Sequence, residues 1–122
     1  MHYSKKDVRF YRIGRHTGER WNRLAIAFTE KTGIPIRICY SADGDEPARL
    51  LPEEVEKQVL KGIAEANDSL GTGYTPMYIE FSTTDSPPAG AYAVLANTLV
   101  HHLHELGEDY GERKLPDSFF LH

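Results

Sequence analysis

The sequence predicts an α+β two-layer sandwich in the order β-β-β-α-β-α. Three alternating apolar runs before residue 42 predict the opening strands, and two stretches of helical period, separated by one further alternation, predict the rest. The 122 residues, 40% of them hydrophobic, suffice for one ordinary core and fall short of two comfortable domains. A single domain over residues 1–110, with a C-terminal tail over 111–122, is therefore expected.

Val8-Arg9-Phe10-Tyr11-Arg12-Ile13 has the β-branched and aromatic content of a strand, and Gly14 with Thr17-Gly18 supplies a turn after it. Leu24, Ile26 and Phe28 alternate with Arg23, Ala25, Ala27 and Thr29, which sets the large residues on one face of a second strand, closed by Lys31-Thr32-Gly33. In a third strand, Ile34, Ile36, Ile38 and Tyr40 alternate with Pro35, Arg37, Cys39 and Ser41. Short polar turns between the three suggest an antiparallel meander.

After the loop-forming SADGDEP the period changes. Leu51, Val55, Val59, Ile63 and Ala66 recur at helical spacing, with Pro52, Glu53 and Glu54 in the first turn, where they suit the exposed amides and the positive dipole end. Asn67-Asp68-Ser69 and Gly71 end this helix. Gly71-Thr72-Gly73 follows a helix C-terminus and leads into a strand, so it turns the chain; a phosphate-cradling glycine loop leads into a helix N-terminus instead. The strand places Met77, Ile79 and Phe81 on one face and Tyr78, Glu80 and Ser82 on the other. Asp85 or Ser86 is the expected N-cap of a second helix, Ala89 to Leu106, with Tyr92, Leu95, Ala96, Leu99, Leu103 and Leu106 on one stripe and Gly107 at its end.

From about Arg23 to Leu106 several of these residues fall into a familiar order: Leu51-Pro52 opening a helix, then KGIAEA, then GTGYTP before a strand, then Asp85-Ser86 and Ala91-Tyr92. In this order the chain resembles domain IV of elongation factor G, the translocating ribosomal GTPase. The resemblance implies a ribosomal-protein-domain-2-like sandwich with both helices on one face of the sheet and a left-handed β-α-β crossover, against the usual handedness. It also implies a place in translation. Gly73-Tyr74-Thr75-Pro76 has one residue more than the family's Gly-Tyr-Pro, and Phe81-Ser82-Thr83-Thr84 reaches Asp85-Ser86 without the family's histidine. No G-x-x-x-x-G-K-[ST] occurs in the chain, so it is not expected to drive translocation.

The net charge of −4 is unevenly spread. Residues 1–40 hold nine Lys and Arg against three acids, a balance of +6, and the remainder holds five against fifteen, a balance of −10. Such segregation suits either a cationic face that meets an anion or internal complementarity between the two parts. The single cysteine, Cys39, excludes an internal disulfide or thiolate cluster, and its place in a strand argues for a packed thiol rather than a nucleophile. MHYSKKDVRFYR has no signal-peptide apolar core, and no apolar run is long enough to span a bilayer, so a soluble cytoplasmic protein with no membrane contact is expected.

Three constellations bear on chemistry. His101, His104 and Glu105 share one side of the last helix, where His101 could chelate with His104 or Glu105, but no third and fourth ligand at a recognised spacing completes such a pair, so no metal and no cofactor is expected. Ser86 and the paired acids Glu53-Glu54 and Asp43/Asp45 read as cap, helix start and loop, which leaves no case for catalysis. Arg9, Arg12, Arg15, Arg20 and Arg23, interleaved with aromatics that include Trp21, form the best binding candidate, because arginine forks grip phosphates and aromatics stack on unpaired bases. Strand alternation divides these arginines between two faces. The expected role is a non-enzymatic accessory protein that binds RNA or the ribosome through this basic hairpin. The alternative is a protein-interaction module or homodimer using Trp21, a sheet edge or the terminal Phe119-Phe120-Leu121.

Overall fold

The computed structural model describes residues 10–17, 20–29, 33–41, 48–83, 85 and 88–107. Its elements follow the expected order: β1 (Phe10–Thr17), β2 (Arg20–Thr29), β3 (Arg37–Ser41), α1 (Pro52–Leu70), β4 (Thr75–Ser82) and α2 (Ala91–Leu106). The four strands form one mixed sheet with two helices packed on it, an α+β two-layer sandwich.

Strand order is β1-β2-β4-β3, which corrects the expected meander. β1 and β2 do form an antiparallel hairpin, but β3 pairs with β4, in parallel, and never with β2. The burial of β4 explains the insertion. Six of its eight residues are buried, with core contacts on both faces, and such a strand belongs in the sheet interior. β3 is short and carries the exposed Tyr40, properties that suit an edge. A parallel neighbour needs a long crossover, and α1 supplies it.

One face of the sheet is covered by both helices. Tyr11, Leu24, Ile26, Ile79 and Phe81 from the strands meet Val55, Val59 and Ile63 of α1 and Tyr92, Leu95 and Leu99 of α2 in the main core. The first helical turn rotates the expected stripe by one residue: Leu51 stands at the N-cap in an extended conformation and is exposed, while Leu50 is buried in its place. In α2, likewise, Val100 is buried and Leu106 is exposed. The helices meet where Gly62 faces Ala93, and a Cβ on Gly62 would lie 3.0 Å from the carbonyl carbon of Ala93. Glycine thus permits a close approach that any side chain would prevent.

Gly71 ends α1 in the left-handed region at φ 67°, its N–H bonded to Asn67 O, as a turn glycine should. Asn67 then organises the loop: its Oδ1 accepts from Thr72 Oγ1 and Tyr74 N, each at 2.9 Å, and its Nδ2 donates to Tyr74 O at 3.0 Å. In β4 the expected alternation fails at Met77. The register slips between Ala27 and Phe28, so Met77 is the extra residue of a bulge and packs with Tyr78 rather than with Ile79 and Phe81. No helix among the described residues is long and apolar enough to cross a membrane.

Candidate functional site

The outer face of the sheet, opposite the helices, has two unlike halves. One is closed and apolar: Phe10, Ala27, Cys39, Met77 and Tyr78 are buried together, with Phe10 and Tyr78 edge to face at 5.0 Å. Cys39 therefore has the packed position its strand implied. The other half is polar and recessed.

Strand register builds the recess. Arg12 pairs with Ala25 and Ala25 with Glu80, so these three form one row across β1, β2 and β4; Gly14 pairs with Arg23 in the next row. Two small residues, Gly14 and Ala25, alternate with two long arginines, and the result is a cavity of about 380 Å³ lined by Arg12, Gly14, Arg23, Ala25, Glu80 and Ser82. Both arginines are exposed. The Glu80 carboxylate is oriented by Tyr78, whose hydroxyl donates to Oε2 at 3.1 Å.

The strand register divides the described arginines of the basic hairpin between the two faces of the sheet. Arg12 and Arg23 meet at the recess. Arg15 and Arg20 occupy register positions of the opposite, helix-covered face, paired with Asn22 and Thr17. Trp21 pairs with His16 two residue pairs beyond Gly14 and Arg23, in register with the outer face, and Arg9 lies outside the described residues. Sequence reasoning missed Glu80 and Gly14. Glu80 read only as a strand residue alternating with Tyr78 and Ser82 on one face, and Gly14 as a turn, whereas β1 runs straight through it to Thr17.

No protein-family model matches the chain, and no curated protein matches it.

A second polar cluster lies beneath the recess on the helix side. Asp85 is buried, and its Oδ2 accepts from Arg23 N and from the Tyr92 hydroxyl, each at 2.8 Å. Asn22 hydrogen-bonds the same hydroxyl. Burial pushes the Tyr92 phenol well above its ordinary value, and Asp85 adds to the rise. This corrects the expectation for Asp85: α2 begins at Ala91 after Gly90, so Asp85 caps no helix and instead ties the β4–α2 connection to β2 and α2. Ser86 lies outside the described residues. The cluster is buried and satisfied, with no unpartnered buried polar side-chain atom among the described residues, which marks it as structural.

On α2, His101 is half-buried while His104 and Glu105 are exposed. Among the described residues, no three of His, Cys, Asp and Glu gather closely enough to hold a metal ion.

Proposed function

We propose that this protein is a non-enzymatic accessory of translation that binds single-stranded RNA on the outer face of its sheet. The observation that carries this reading is the pair of exposed arginines, Arg12 and Arg23, set by neighbouring strands around one recess. Guanidinium forks bond phosphate oxygens bidentately and stack on unpaired bases, so two of them beside a cavity suit a flexible strand better than a rigid duplex. Both arginines belong to the stretch whose charge balance is +6. The assignment to translation rests on the resemblance to domain IV of elongation factor G.

Fluorescence anisotropy with a labelled single-stranded RNA tests the reading. Affinity should fall steeply between about 50 and 200 mM salt, since each neutralised phosphate releases counterions. Indifference to salt, or to replacement of both Arg12 and Arg23 by Ala, would remove the proposal.

One observation favours a second reading. Tyr40 is 55% exposed on the edge strand β3, stacked on Phe81 at 6.0 Å, and an extended segment of a protein partner could pair with that edge. Sedimentation across a range of concentrations tests the homodimer form. Self-association abolished by Tyr40→Lys supports it; a monomer throughout removes it.

A further inference from the structure

Gly14 is a glycine without a backbone reason. Its φ is not in the left-handed region, and a Cβ there would meet only Arg23 Cγ and Asn22 O, both at an ordinary 3.7 Å. Glycine in a strand interior weakens the strand by entropy and by lost packing, so its consequence at this position is space. With Ala25 it holds the recess open between the two arginines.

The recess is also poorly suited to phosphate alone, because Glu80 lines it and a carboxylate repels an anion. A carboxylate accepts hydrogen bonds and offers none when ionised. The ligand group that matches is one with donors on its edge and a flat face for the guanidiniums. Arg12 and Glu80 occupy one row with Ala25 between them, which puts their backbones about 9–10 Å apart. A single planar base fits that gap, and a volume of about 380 Å³ lies at the small end of ligand sites.

We infer that the recess receives one unpaired nucleobase, guanine in preference, with its Watson–Crick edge on Glu80 and its ring against Arg12 and Arg23. This rests on the RNA reading above. Guanine presents two adjacent N–H donors, which a carboxylate accepts together. Adenine and cytosine present one amino group beside an acceptor, and uracil sets its imino group between two carbonyls that repel the carboxylate. Tyr78, fully buried, holds Glu80 through Oε2 and so orients the acceptor before the base arrives.

The test uses the whole chain and short single-stranded RNAs identical except for one central base. The guanine form should bind roughly ten- to a hundredfold more tightly than the uracil form, the scale of one good bidentate contact. Glu80→Gln should reduce that ratio to near one while leaving the salt dependence, and Gly14→Val, which fills the recess, should do the same. Equal binding of all four bases by the unaltered protein overturns the inference, as does a guanine preference that survives Glu80→Gln. Base-indifferent binding that remains salt-sensitive and arginine-dependent would overturn the recess inference while leaving the RNA reading intact; absence of RNA binding would overturn both. Thermal unfolding checks Gly14→Val, and if that variant does not fold, Glu80→Gln decides.

Discussion

The Tyr92 hydroxyl donates to Asp85 at 2.8 Å, and the carboxylate oxygen that receives it also receives the backbone N–H of Arg23 at 2.8 Å. One buried carboxylate thereby joins α2 to the strand that carries a rim of the recess. Asp85→Ala leaves both donors without this acceptor in a buried site, and a loss of about 2–4 kcal/mol is expected, read as a lower urea midpoint at unchanged slope.

Alkaline pH should expose the same contact. The native phenol of Tyr92 is held protonated above its ordinary value, first by burial and then by Asp85. Below about pH 10 both the native and the unfolded chain keep this proton and the contribution is complete; above it the unfolded chain loses the proton first, so stability falls as pH rises. Tyr92→Phe removes that term. Between about pH 8 and pH 11 the unfolding midpoint of the variant should decline less steeply than that of the unaltered protein.

Gly62 and Gly14 should respond oppositely to the same substitution. Alanine favours a helix interior over glycine by about 1 kcal/mol, but at position 62 the new methyl meets the Ala93 backbone, which has no rotamer with which to move away. Overpacking of about 1–3 kcal/mol or more should win, and Gly62→Ala should unfold at a lower temperature. Gly14→Ala meets only ordinary contacts and should keep or raise the midpoint.

Asn67 is one residue with three bonds to the loop that launches β4. Asn67→Ala should cost about 1–3 kcal/mol. Asn67→Asp keeps the Oδ1 acceptor but sets a carboxylate oxygen against Tyr74 O, so it too should unfold at a lower temperature than the unaltered protein.

For the recess, the salt slope separates contacts better than affinity alone. On single-stranded RNA each lost phosphate contact should flatten the log–log slope by about 0.7. Arg12→Ala and Arg23→Ala should each show that change, while Arg49→Ala, outside the recess, should leave the slope as it was.

Periodicity made the elements and the main core legible, because Leu24, Ile26, Val55, Val59, Ile63 and Leu99 each sit where a period of two or 3.6 places them. Strand order was not legible in the same way. Alternation says which face a residue takes and nothing about which strand lies beside it, so the pairing of β3 with β4 follows only from the two-sided burial of β4. Met77 misled because a bulge breaks alternation there, and its signal in the sequence is Pro76, which an interior strand tolerates at a bulge. The candidate site was half legible. Arg12 and Arg23 were marked by type, but their separation from Arg15 and Arg20 required the register, and Glu80 joins them across residues distant in sequence. Asp85 was marked as a cap because a short acidic side chain ahead of a helix usually is one; here Arg23 N and Tyr92 compete for it and win.

The strand order also sets a timetable for synthesis. β2 acquires its second neighbour, and β3 its only partner in the sheet, from the same late strand. At roughly 5–20 residues per second, a nascent chain carries the β1 and β2 segments for some seconds before residue 75 is made. Throughout that interval Leu24 and Ile26 lack the β4 half of their core. The emerging chain is therefore most prone to aggregate after β2 has left the ribosome and before β4 follows it out.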